Sequence, residues 1–304
     1  MILDWNGTLI EDGEAVVSFY DHGFLYGIGL FETFRTYGGR PFLLEWHIER
    51  LFAGCQELGI VLEPEETRLR SRIQALLVAN QLEDAYIRWT VTAGEEALGL
   101  PAGDYVKPTD MIYIKPLPAA TAVTSSTGRA GKSLQLLKQR RSTPEGAIRL
   151  KSLHYMNNIV AKRELSGYPW AMGAEGLFLD VQGHLCEGIV SNVFFVRDGV
   201  VHTPAVETGL LPGITRRFVL ETAEQLGLEV QEGRYRWEQL LQADEVFLTN
   251  SIQEMVPVAR LYDTDGAVAS VGGDGQGAAG PITEQLQQRY RRATALTAQQ
   301  QEEN

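Results

Sequence analysis

One stretch does most to limit what this chain can fold into. From Pro116 to Gly131 the sequence turns to Pro, Ala, Thr and Ser, and on either side of it strand-length apolar runs alternate with helical patterns. A 304-residue chain is more than one small core organises comfortably, so this stretch reads as the connection between two lobes. The expected division is a small N-terminal α/β domain over 1–117, a linker over 118–131, a larger C-terminal domain over 132–293, and a polar, frayed tail over 294–304.

Within the first lobe, Asn6-Gly7 sits between two short apolar runs, the signal of a two-residue hairpin. Ile48, Leu51, Phe52, Cys55 and Leu58 recur at helical spacing and are closed by Gly59. A second helix follows Pro64, and strands are expected over 85–93 and 111–115. In the second lobe a strand is expected near 134–137 and a helix over 153–165. A hairpin should run from 176–180, through Gln182-Gly183, to a strand over 189–196. Helices near 214–226 and 237–242 and a strand over 245–249 complete the pattern.

Composition narrows the function. The formal net charge is −12, and a surface that acidic repels phosphate backbones and anionic membranes, so neither nucleic acid nor membrane is expected as a partner. Two cysteines, Cys55 and Cys186, in no C-x-x-C pattern argue against a disulfide framework and for a reduced, cytoplasmic setting. The five histidines lack metal-site spacing, and no metal is expected. Gly275-Gln276-Gly277-Ala278-Ala279-Gly280 matches a dinucleotide fingerprint in letters, but proline follows at once and no strand–helix frame surrounds it, so it reads as a flexible loop. Lysine is scarce: there are six, all between Lys107 and Lys162. Any chemistry that needs a lysine amine lies there.

Four segments carry candidate chemistry. Lys151 and Tyr155 would stand one helical turn apart, although on that segment alone a pair of solvated helix neighbours is the plainer reading. Glu187-Gly188 followed by Ser191-Asn192 places polar groups at the head of an apolar strand, where they must be satisfied by a ligand or a network. Gly213-Ile214-Thr215 opens a helix with free amides, a hydroxyl and the positive dipole end, a natural phosphate seat. Thr249-Asn250-Ser251 closes a strand with three small polar groups.

Together with Asp21-His22-Gly23, Phe31-Glu32-Thr33 and His47-Ile48-Glu49-Arg50-Leu51, these motifs in this order resemble the fold-type IV pyridoxal-phosphate enzymes. That superfamily holds the branched-chain and D-amino-acid aminotransferases and aminodeoxychorismate lyase. The resemblance implies a two-domain α/β fold like the D-amino-acid aminotransferases, with pyridoxal 5'-phosphate in the cleft between the domains, and a homodimer. It implies Lys151 as the Schiff-base lysine, Glu187 at the pyridine nitrogen, Tyr155 at the ring's phenolic oxygen and Asn192 close behind the ring. Arg50, Ile214, Thr215, Asn250 and Ser251 would hold the phosphate.

Three stretches lean toward the lyase members: 21–27, Arg141-Ser142-Thr143-Pro144-Glu145-Gly146, and Thr249-Asn250-Ser251 with its following Ile252-Gln253-Glu254. Gly94-Glu95-Glu96-Ala97 stands where D-amino-acid enzymes place an Arg-x-His carboxylate trap. The reaction implied is conversion of the small molecule 4-amino-4-deoxychorismate to 4-aminobenzoate and pyruvate, a step toward folate. Arg88 and Arg149 are candidates to meet its carboxylates. The alternatives are a transaminase for branched-chain or D-amino acids and a silent relative that only binds.

Overall fold

Antiparallel pairing organises the first half of the chain. In the computed structural model, which describes residues 1–117, 131–272 and 279–299, the strands β1 (Ile2–Trp5) and β2 (Thr8–Glu11) form the expected hairpin. Asn6 and Gly7 both hold positive φ, +51° and +83°, as that turn requires. The helix α1 (His22–Tyr26) is capped by Asp21, whose carboxylate accepts from the Gly23 amide. Then follow β3 (Gly29–Tyr37), β4 (Arg40–Pro41), α2 (Leu44–Glu57), α3 (Glu66–Ala79), β5 (Ala85–Thr92) and β6 (Thr109–Pro116). The sheet order is β2-β1-β6-β5-β3-β4.

Alternation sets its two faces. Along β5, Ala85, Ile87, Trp89 and Val91 turn to one side and pack with Leu44, Leu51 and Cys55 of α2 and Leu69, Ile73 and Leu76 of α3. Arg88 points to the other side, where its guanidinium lies 3.6 Å from the centre of the Phe31 ring.

The second half holds β7 (Lys132–Leu136), α4 (Met156–Ser166), β8 (Glu175–Leu179), β9 (Leu185–Gly188), β10 (Asn192–Arg197) and β11 (Val200–Pro204). After them come α5 (Ile214–Gln225), β12 (Val230–Gly233), α6 (Trp237–Leu240), β13 (Glu245–Asn250), β14 (Glu254–Tyr262), β15 (Val268–Ser270) and α7 (Pro281–Gln299). The nine-stranded sheet runs β12-β11-β10-β13-β14-β7-β8-β9, with β15 on β14. Val193 and Phe195 of β10 and Val246 and Leu248 of β13 share one core. The alternate residues face the other side, where Phe194 stacks on Phe247 at 5.0 Å and Asn192 is paired in register with Thr249.

The chain divides into two compact units. One contains the described residues of Met1–Ala122, Leu150–His154 and Arg292–Asn304, the other those of Val123–Arg149 and Tyr155–Arg291. The expected linker, 118–131, lies outside the described residues except for Gly131, as does most of the 275–280 glycine loop.

Three expectations differ from the structure. The helix expected from Leu153 begins only at Met156, because residues 150–154 run extended along β3: the Phe31 amide donates to the Lys151 carbonyl and the Leu153 amide to Gly29. Lys151 and Tyr155 are therefore not helix neighbours. The hairpin partner of β8 is β9, not a strand over 189–196, since a tight turn closed by the Gly188 amide on Ser191 O ends β9 and sends β10 to pair with β11 and β13. The tail expected to be frayed from Thr294 is helical to Gln299. Thr283, Leu286, Tyr290 and Thr294 recur at helical spacing and are buried, a pattern the surrounding glutamines mask. Residues 300–304 lie outside the described part.

Candidate active site

Lys151 owes its place in the first unit to backbone pairing. An isolated antiparallel bridge joins Leu30 to Ser152, and the two hydrogen bonds at Phe31 and Gly29 fix the lysine beside the start of β3. Its Nζ lies 4.7 Å from the centre of the Phe31 ring, whose other close cation is Arg88. Residue 29 must be glycine here, since a Cβ would come within 2.8 Å of the Leu153 side chain and the Val91 carbonyl.

Near Lys151 in the same unit lies a buried cluster not expected from the sequence. Glu32, on β3, accepts from His47 Nδ1 at 2.6 Å and from Arg50 Nε and Nη2 at 2.8 and 2.6 Å. Burial alone would raise the Glu32 carboxyl, but Arg50 and His47 outweigh it and hold it at about 2. Burial pushes the His47 imidazole down against the pull of Glu32, with Arg50 and Lys151 adding to the fall. Arg50, expected at a phosphate, thus directs two of its nitrogens to Glu32. The signal was present in the sequence, because an acid on a core-facing strand position met His and Arg at i and i+3 of the next helix. Nothing in the spacing alone pairs the two elements.

In the second unit Glu187 is buried and engaged on both oxygens. Arg141 Nε donates to Oε1 at 2.7 Å, Arg149 Nε stands 3.8 Å from the same oxygen, and the Leu211 amide donates to Oε2 at 2.9 Å. Arg149 also donates from Nε to the Gly209 carbonyl at 2.6 Å and from Nη2 to the Ser142 carbonyl. Burial, and then Arg141 beside it, lowers its pKa. As a candidate for substrate carboxylates, Arg149 is therefore committed to the protein's own groups. Arg88 lies over Phe31 and donates to Thr90 Oγ1 at 3.2 Å.

The same unit gathers small polar groups around the start of α5. Gly213 is its N-cap and no side chain caps the helix, so the amides of Ile214 and Thr215 have no intrahelical partner. A Cβ on Gly213 would lie 2.1 Å from Asn192 Oδ1, so this approach admits glycine alone. Asn192 donates from Nδ2 to the Leu211 carbonyl at 2.9 Å. Its register partner Thr249 is 1% exposed with an Oγ1 that has no hydrogen-bond partner, and the buried Ser191 Oγ is likewise unpartnered. Asn250 uses its Oδ1 to accept from the Ile252 and Gln253 amides at 3.0 and 2.7 Å, so it builds the turn that carries Ser251 rather than reaching out of it. Tyr155, immediately before α4, is 36% exposed.

Orphaned hydroxyls and an uncapped helix start suit a phosphorylated ligand, and a buried carboxylate between two guanidiniums suits a fixed anionic contact. Among the described residues no group of three His, Cys, Asp or Glu could hold a metal ion, and no helix is long and apolar enough to cross a membrane.

Comparison with known proteins gives this geometry a lineage. The chain is 42% identical over 262 residues to the aminodeoxychorismate lyase of Bacillus subtilis, covering 86% of each chain. It superposes on the 4-amino-4-deoxychorismate lyase of Pseudomonas aeruginosa with a TM-score of 0.79 at 30% identity, covering 95% of this chain and 98% of that one. It also matches the T.th. branched-chain amino acid aminotransferase with pyridoxamine 5'-phosphate, with a TM-score of 0.80 at 30% identity and 96% and 93% coverage. The description "Amino-transferase class IV" fits residues 29–261. The chain belongs to the class IV aminotransferase family, with the two-unit α/β fold-type IV architecture of its relatives.

Proposed function

We propose that this protein is a pyridoxal 5'-phosphate-dependent aminodeoxychorismate lyase that converts 4-amino-4-deoxychorismate to 4-aminobenzoate and pyruvate. The observation that carries the reading is the 42% identity, sustained over 86% of each chain, to a protein named for that reaction. Thr249-Asn250-Ser251 and the Arg141–Gly146 segment support it.

Each residue has a task that its chemistry fits. The Ile214 and Thr215 amides, the Thr215 hydroxyl, and the Asn250-Ser251 turn would hold the phosphate, and the unpartnered Thr249 and Ser191 hydroxyls stand in the same unit. Arg50 would join them as a phosphate ligand. Tyr155 would meet the cofactor's phenolic oxygen, and Asn192 would lie close behind the ring. When bound, the cofactor supplies an electron sink for the carbanion formed at the substrate carbon. Glu187 would stand at the pyridine nitrogen and favour its protonated form, and Lys151, the lysine that would hold the cofactor in the absence of substrate, would serve through its freed amine as the base for the substrate C4 proton. With the C4 proton removed, the C3–O ether bond would break, the ring would become aromatic, and the enolpyruvate released would gain a proton to become pyruvate.

The protein is proposed to act as a homodimer. Phe19, at 81% exposure, and Phe24, at 65%, lie edge to face on the first unit, apolar surface of the kind that a second copy covers. A monodisperse monomer by light scattering at micromolar concentration would count against it. Two free cysteines, Cys55 and Cys186, fit a cytoplasmic site of action.

Purified protein given aminodeoxychorismate should release 4-aminobenzoate and pyruvate together. A second reading, a transaminase, is favoured by the aminotransferase likeness at TM-score 0.80. It is separated by supplying an amino donor alone: a transaminase accumulates the aminated cofactor, and a lyase does not.

A further inference from the structure

The Arg141–Gly146 segment distinguishes this sequence, yet the proposed reaction gives it no task. Its first residue is 7% exposed and held from three sides. Arg141 Nε donates to Glu187 Oε1 at 2.7 Å, and Nη1 donates to the side-chain oxygens of Asn157 and Asn158 at 2.7 and 3.2 Å. Its guanidinium lies 5.3 Å from the centre of the Phe178 ring. The two asparagines are themselves fixed. Asn158 Nδ2 donates to the Ile189 carbonyl at 2.6 Å, and Asn157 Nδ2 to the Arg140 carbonyl at 3.0 Å. The charged groups that meet Glu187 are Arg141 and Arg149, and Arg149 reaches back to the Ser142 carbonyl of the same segment.

We propose that Arg141 is a positioning residue for Glu187: its guanidinium keeps this carboxylate ionised, so that the proton the two share stays on the cofactor's pyridine nitrogen and not on Glu187. This rests on the cofactor reading given above. A carboxylate and a ring nitrogen in contact compete for one proton. Desolvation draws a buried carboxylate toward its protonated form, which would leave the ring neutral and a poor electron sink. A cation hydrogen-bonded to the carboxylate opposes that. It acts more weakly on a proton held by the carboxylate's partner, because Coulomb energy falls with distance. The difference favours proton on ring. Asn157 and Asn158 aim the guanidinium, and Phe178 gives it a flat seat, which lysine would use poorly.

The test uses holoenzyme prepared with pyridoxal phosphate carrying nitrogen-15 in the ring. In wild type the ring resonance should lie at the protonated position near neutral pH. Arg141→Met should move it toward the neutral-pyridine position, equivalent to about one pKa unit or more, with kcat falling about tenfold and KM little changed. Thermal unfolding of the apoprotein checks that the variant folds. Arg141→Gln, which keeps a hydrogen-bond donor and loses the charge, should show the same displacement and serves where Met does not fold. A protonated ring resonance in either variant, with cofactor still bound, overturns the assignment. Wild-type protein that takes up no labelled cofactor overturns the cofactor reading, and the Arg141 assignment with it.

Discussion

Glu32 in the first unit and Glu187 in the second are both buried against guanidinium, and the two are built for different ends. Glu32 meets one arginine through a two-nitrogen fork and one imidazole, so its oxygens are saturated by groups from the adjoining helix. Glu187 meets two arginines on one oxygen and a backbone amide on the other, at a strand end that turns at once through Gly188. The first is a closed pair, which serves to fasten α2 to β3. The second gathers two guanidiniums around a single anion. Similar chemistry therefore reads as structure in one place and as a poised electrostatic contact in the other, and the partners decide which.

The contrast can be broken by substitution. Lys151→Ala, the reference for complete failure, should abolish turnover and the visible absorbance of lysine-bound cofactor; retention of that band with full activity sinks the lysine assignment. Glu32→Gln should cost about 3 kcal/mol of stability, as removal of one partner of a buried pair does, read by urea unfolding. Its pH dependence has a defined sign. The folded Glu32 carboxyl stands at about 2 against an ordinary 4.5, so its stabilisation is fully present above pH 4.5 and is lost as pH falls toward 2. The gap between variant and wild type should close over that window, and a gap independent of pH would contradict the ion-pair account.

Arg50→Ala should weaken cofactor retention by about 1.5–3 kcal/mol, the worth of hydrogen bonds to a charged group. Dilution that leaves the cofactor bound as in wild type would assign Arg50 to Glu32 alone. Glu187→Gln should leave cofactor bound and slow turnover at least tenfold, ~1.4 kcal/mol in the barrier. If it turns over like wild type, the second carboxylate is as structural as the first.

Local signals in the sequence announce much of this molecule. Asn6-Gly7 dictates a turn by its backbone alone, and the stripe Leu51, Cys55, Leu58 dictates a helix by its period. The start of α5 was visible too, because Gly213-Ile214-Thr215 marks a helix opening and Gly213 is its N-cap. What escaped depends on pairing at a distance. Residues 150–154 have no strand pattern of their own and are extended because β3 offers them an edge. The turn at Gly188 is set by Ser191 pressing where a Cβ would stand, at 2.1 Å. The Glu32 cluster needs β3 and α2 brought together, and the role of Arg141 needs its contact with Glu187, 46 positions away. Periodicity cannot supply such partners.

The short stretch that carries Lys151 has a consequence for anyone who would divide the chain. Leu150–His154 is grouped with the first unit, while Arg149 and Tyr155 on either side of it belong to the second. A fragment ending at residue 117 would lack the five residues that border β3, leaving the Phe31 amide and the Gly29 carbonyl without their partners, as well as the Leu150 side chain that packs beside Gly54. Such a fragment would present an open sheet edge and invite self-association. The second half, expressed alone, would carry the lysine on a strip with no strand to lie against. Gene fusion or splitting at the Pro/Ala/Thr-rich stretch, the obvious place to cut by composition, would therefore sever Lys151 from the strand it lies against.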